Sequence, residues 1–100
     1  MNQKFINESN RLIAEFMDVS SIYHLVQLHY HDDWNWLMAV IQKIENMDYY
    51  WTRLIGDMSI DTDEGDVIVS YSGDNNDIDA LYRLVVKFIK WYNQNIKNND

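Results

Sequence analysis

Three glycines, Gly56, Gly65 and Gly73, are the only strong chain-breakers in a sequence that contains no proline. Glycine and proline are the usual punctuation of regular structure, so their near absence makes these three positions informative. The apolar spacing on either side reads as helix. Asn7–Met17 predicts a first helix, with Leu12, Ile13, Phe16 and Met17 on one face. Trp34–Asn46, capped by Asp32 or Asp33, predicts a second. Its buried stripe is Trp34, Leu37, Met38, Ile41 and Ile44, widened by Trp36, Val40 and Met47. A last helix is expected from about Asp77 to Asn95, with Ile78, Leu81, Tyr82, Val85, Phe88, Ile89, Tyr92 and Ile96 turned inward.

Between the second and last helices the period switches to two. Leu54, Met58 and Ile60 alternate with Asp57, Ser59 and Asp61, and Gly56 reads as a bulge in that strand. Thr62-Asp63-Glu64-Gly65 supplies a hairpin turn, Val67–Tyr71 the return strand, and Ser72–Asn76 a loop. Val19–Tyr30 fits a strand or a short helix capped by Ser20, with the strand preferred. The expected fold is one α+β domain over residues 1–100, in the order α-β-α-β-β-α, with a small antiparallel sheet packed against three helices. A two-stranded hairpin is marginal in water, so the helices have to cover it.

Composition then limits function. With 100 residues, only one domain fits. No cysteine is present, which excludes disulfides, thiolate–zinc sites and thiol nucleophiles. The longest apolar run, Leu37–Ile41, falls far short of the roughly 20 residues that cross a bilayer. No secretory leader is visible, so a cytoplasmic location is expected. A net charge of −8 opposes direct contact with nucleic acid or an anionic membrane and suits a basic protein partner.

Catalytic signals are thin. His24, His29 and His31 with Asp32 and Asp33 form the most metal-like cluster, and a strand would place His29 and His31 on one face. That same strand turns His24 away, and no second ligand pair recurs at a recognisable spacing. A solvent-facing histidine pair before a helix cap explains the cluster better. Asp61–Asp66 resembles the opening of a calcium loop, but positions 6 and 12 counted from Asp61 hold Asp66 and Ser72 where Gly and Glu are required. No nucleophile motif or phosphate-binding glycine loop appears. The expectation is a protein with no catalytic residues, no metal and no cofactor.

The sharpest feature is the distribution of charge. Asp57, Asp61, Asp63, Glu64, Asp66, Asp74, Asp77 and Asp79 lie in one stretch without a single Lys or Arg. These eight acids account for the whole net charge, since the remaining eight acids balance eight basic residues. They are the candidate partner-binding residues. Such a field steers encounter with a basic surface and weakens with salt. A solvated set of acidic turns and a helix cap is the plainer explanation of the same residues. A competing expectation is an accessory protein that binds through an exposed patch of Trp51, Trp91 or Tyr50.

Three blocks carry a resemblance: Leu12-Ile13-Ala14-Glu15-Phe16-Met17, then Tyr30-His31-x-x-Trp34-x-Trp36-Leu37-Met38, then Phe88-Ile89-Lys90-Trp91-Tyr92-Asn93. Together they resemble short proteins of Bacteroidetes and their phages. The chain departs from that pattern with Ala39 in place of a proline and with a shorter loop before Tyr30-His31. No activity transfers with the resemblance. It implies a mobile-element origin, and with it an inhibitor of the counter-defence (anti-CRISPR-like) kind acting on a basic, nucleic-acid-binding host nuclease. The alternative it leaves open is a structural or accessory phage protein, with a metal-dependent enzyme using His29 and His31 a distant third.

Overall fold

The first helix begins where a side chain can cap it. Asn2 is extended, and its side-chain oxygen accepts from the Phe5 amide at 2.8 Å, so α1 runs Gln3–Phe16 instead of starting at Asn7. The computed structural model describes residues 2–19, 27–73 and 77–97. Helix α2 spans Trp34–Asn46 behind the Asp33 cap, and α3 spans Ile78–Asn95 behind Asp77. Each cap carboxylate accepts a backbone N–H that the helix itself leaves unpaired, from Asn35 at 2.9 Å and from Asp79 at 3.0 Å.

Helices α1 and α2 both close on an aspartate in the left-handed region, Asp18 at φ 62 and Asp48 at φ 69. Aspartate tolerates that conformation better than most side chains, although glycine is the commoner choice. After α1 the Asp18 amide returns to Glu15 and the Val19 amide to Ala14, which satisfies two carbonyls at the helix end.

The sheet is antiparallel, in the order β1 (Tyr49–Leu54), β2 (Asp57–Thr62), β3 (Val67–Ser72). The expected bulge at Gly56 is instead a tight turn. Gly56 takes φ 77, Leu54 pairs with Asp57, and one anticipated strand becomes two. A register shift does occur, at Ile60/Asp61 against β3. The expected class stands, an α+β fold with a small antiparallel sheet and three helices among the described residues, and their element order is α-α-β-β-β-α where α-β-α-β-β-α was expected. Of the Val19–Tyr30 strand, residues 20–26 lie outside the described residues, and 27–30 have no strand structure.

Helix α3 is the centre of the packing. It contacts β2, β3, α1 and α2, while α2 also covers β1. Its buried set, Ala80, Leu81, Tyr82, Leu84, Val85, Val86, Phe88 and Ile89, therefore extends beyond one stripe. Strand side chains alternate between faces, so Met58 and Ile60 enter the core at 1% and 0% exposure while Asp57 and Asp61 turn to the other side. Trp34 and Ile96, expected inside, are 38% and 39% exposed because they occupy the first position of α2 and the position after α3, where the chain leaves the packed layer.

The three resemblance blocks meet in this core. Phe16 stands edge-on to Phe88 and Tyr92, with centroids 6.3 and 5.8 Å away, and Lys43 lies over the Phe16 ring while donating to its carbonyl. Tyr30 packs edge-on against Trp36 at 5.0 Å. These blocks build the interior, which explains why they carry no visible chemistry.

Candidate protein-docking face

Helices α2 and α3 pack on the core-facing side of the sheet and α1 packs on α3, while the sheet's other side carries mostly exposed or half-exposed residues. Register assigns Tyr50, Thr52 and Leu54 from β1 to that side, with Asp57, Ser59 and Asp61 from β2 and Ser70 and Ser72 from β3. The centre is a row of hydroxyls. At the margins stand exposed apolar side chains: Tyr50, Leu54 and Val67 at 42%, 63% and 61% exposure, with Ile55 fully exposed in the β1–β2 turn.

Two of the candidate acids lie directly on this face. Asp57 is exposed and accepts from the Ser72 hydroxyl at 3.1 Å. Asp61 is in register with Tyr50 on one side and Val67 on the other. One of its oxygens accepts from Thr52 Oγ1 at 2.8 Å, and the other is shielded without a hydrogen-bond partner. The two acids stand four positions apart along β2, about 13 Å at the usual strand rise. Asp63, Glu64 and Asp66 stand exposed in the β2–β3 turn at the Asp61 end. Among the described residues, Asp57, Asp61, Asp63, Glu64 and Asp66 take part in no ion pair.

Asp77 and Asp79 do not join them. Asp77 is spent on the α3 cap, and Asp79 pairs with Arg83 at 3.1 Å. Both lie at the start of α3, after the far end of β3. Asp74 lies outside the described residues. Of the seven candidate acids among the described residues, five thus lie on β2 and its following turn, a cluster at the turn with Asp57 about 13 Å away along the strand. Lys87 donates to the Ser70 carbonyl and stands over the Tyr71 ring. As for the aromatic alternative, Trp51 and Trp91 are half-buried. Arg53 lies over the Trp51 ring, Trp91 packs on Tyr49 and Phe88, and Tyr50 alone of the three is exposed.

His29 and His31 occupy a turn before α2, not a strand face, and His24 lies outside the described residues. His29 Nδ1 lies 3.1 Å from Asp32, and His31 faces Asn10 at 3.1 Å through Nδ1 and Asp32 at 3.6 Å through Nε2. Asn10 is nearly buried and accepts the Tyr82 hydroxyl at 2.9 Å, so its amide N–H groups point to His31 and the Leu28 carbonyl. His31 Nδ1 is therefore an acceptor, and its proton sits on Nε2, an assignment drawn from the network. Burial pushes the Tyr82 hydroxyl up to about 12, against a smaller opposing pull from a hydrogen bond with Ser9. A polar cleft of about 350 Å³ opens beside this network between α1 and Gln27–His31. Among the described residues, no group of three metal-ligating side chains comes together.

Sequence reasoning missed the Asn10–Tyr82–His31 network and the exposed apolar margin. Alternation of Tyr50, Thr52 and Leu54 could have revealed the margin, because it mirrors Asp57, Ser59 and Asp61 across a two-residue turn. No local signal links Asn10 to Tyr82. No helix among the described residues is long and apolar enough to cross a membrane. No family model matches the chain, and no significant match exists among curated proteins or solved structures.

Proposed function

We propose that this chain is an interaction protein that docks a basic protein partner through the open side of its sheet and the adjoining β2–β3 turn. The observation behind this reading is a set of five carboxylates, Asp57 and Asp61 on the helix-free side and Asp63, Glu64 and Asp66 in the adjoining turn, with no cation paired to them among the described residues. Uncompensated charge of one sign is costly to gather unless it is solvated or meets a partner, and it raises the rate of encounter with an opposite surface. Exposed Leu54, Val67 and Tyr50 beside the acids give that encounter apolar area to retain.

The more specific form of the proposal is a counter-defence inhibitor of the anti-CRISPR kind, occupying the nucleic-acid-binding surface of a host nuclease, as the resemblance to phage proteins of Bacteroidetes implies. The acids do not form a phosphate-like ladder; they form a cluster at the turn and an outlier at Asp57. Competition for a basic surface fits this pattern better than imitation of a duplex.

The test is capture of the partner from bacterial lysate, followed by titration of the recovered protein at about 0.1 M and about 1 M salt, where the screening length falls from about 10 Å to about 3 Å. Binding should weaken strongly at high salt and vanish in the Asp61→Lys, Asp63→Lys, Asp66→Lys triple variant. Unchanged affinity in that variant would remove the proposal. Salt-independent binding that depends on Tyr50 would favour the accessory-protein alternative.

A further inference from the structure

We propose that the polar cleft between α1 and the Gln27–His31 turn binds a small organic anion, one that carries a phosphate or carboxylate beside a hydrogen-bonding edge of the carboxamide or nucleobase kind. This site is separate from the docking face and does not depend on it.

The lining of the cleft selects that class. Its volume of about 350 Å³ lies at the lower end of the range that holds small ligands. Four carboxamides, Gln3, Asn7, Asn10 and Gln27, line it together with the Arg11 guanidinium and the His31 imidazole. None of the described lining residues is acidic, although the chain carries sixteen acids against eight basic residues. Asp32 stands 3.6 Å from His31 Nε2 but does not line the cleft. A metal ion or an organic cation therefore finds no carboxylate here, and an apolar ligand would leave the amides without partners. An oxyanion finds an N–H donor on each polar side chain.

The wall on α1 is built before any ligand arrives. Gln3, Asn7, Asn10 and Arg11 recur at the spacing of one helix face. A helix face that meets another segment usually carries apolar side chains, yet this one carries amides, and Asn10 is 5% exposed. The Tyr82 hydroxyl, His31 Nδ1 and the Leu28 carbonyl together fix the Asn10 amide in one orientation. One turn away, Gln3 Nε2 donates to Asn7 Oδ1 at 2.8 Å. Exchanging O and N in both amides reverses that bond, and either way the pair leaves one donor beside one acceptor. Such an edge matches a carboxamide or the hydrogen-bonding edge of a base. Ile6 and Leu28 add apolar wall for the body of the ligand. Arg11 supplies the charge, because five N–H donors let a guanidinium serve an oxyanion alongside another contact.

The test is an amide chemical-shift titration of the isotope-labelled full chain with the ribonucleoside monophosphates, with N-acetylglutamine and with inorganic phosphate, each to about 10 mM. A nucleotide or N-acetylglutamine should give saturable shifts at Gln3–Arg11 and Gln27–His31 with a Kd below about 1 mM, and the class that responds identifies the anion as phosphate or carboxylate. Asn7→Asp keeps the side chain's shape and adds a negative charge; it should weaken that ligand at least about tenfold, as should Arg11→Gln, the loss expected for one charge-assisted hydrogen bond. Asp63→Asn with Asp66→Asn should leave the affinity unchanged, which separates this site from the docking face. No saturable shift with any of these compounds, binding by inorganic phosphate alone as tight as by the organic anions, or an affinity that Asn7→Asp and Arg11→Gln leave unaltered would overturn the proposal.

Discussion

Replacing Tyr82 with Phe removes one oxygen from the interior and should produce a pH-dependent stability difference of known shape. Tyr82 is fully buried, and its hydroxyl donates to Asn10 at 2.9 Å. Asn10 in turn orients His31 and holds the Leu28 carbonyl. Without the hydroxyl, a nearly buried amide oxygen has no donor, which costs about 1–3 kcal/mol. For a domain of this size each kcal/mol corresponds to roughly 4–8 °C in Tm. The alkaline behaviour runs the other way. A tyrosine raised from 10 to about 12 by burial holds its proton more tightly in the folded state than in the unfolded one. Its contribution is intact below pH 10 and is lost as pH rises toward 12, a total of about 2–3 kcal/mol. Urea titrations followed by tryptophan fluorescence from pH 7 to pH 11.5 should show the wild type more stable at neutral pH, with the two curves converging at alkaline pH. A neutral-pH difference under about 0.3 kcal/mol, or a gap that stays constant with pH, would refute the network as described.

Other outcomes follow from single positions. A Cβ on Gly73 would lie 2.6 Å from the Ala80 Cβ, so Gly73→Ala should destabilise by about 1–3 kcal/mol in chemical denaturation. Asp48→Gly relieves a left-handed backbone and removes a carboxylate from the negative end of α2, and should raise stability by about 0.5–1 kcal/mol by calorimetry. Asp63→Lys with Asp66→Lys should change stability by no more than about 0.5 kcal/mol, since both side chains are exposed and unpaired, while abolishing salt-sensitive binding.

Much of the architecture was legible because local and tertiary preferences agree. The α2 and α3 stripes, an aspartate cap on α2 at Asp32 or Asp33 and the β2–β3 turn follow from spacing and side-chain chemistry alone. Gly56 was misread because a glycine within alternating apolar residues fits a bulge or a turn equally well, and only the pairing of Leu54 with Asp57 distinguishes them. The start of α1 was missed because Gln3 and Lys4 add nothing to the apolar face; the Asn2 cap decides it. Of the candidate acids, the five on β2 and its following turn were separable from Asp77 and Asp79 only once Asp77 proved to be a cap and Asp79 a partner of Arg83. Ion pairing across a helical turn can be anticipated from i, i+4 spacing, and that signal was present in Asp79 and Arg83.

The most direct measurement is amide chemical-shift mapping of the labelled chain as the basic partner is added. Perturbations concentrated on Tyr50–Leu54, Asp57–Asp66 and Val67–Ser72, fading with added salt, are the predicted result. Shifts confined to α1 and Gln27–His31 around the polar cleft, with the sheet silent, would contradict it.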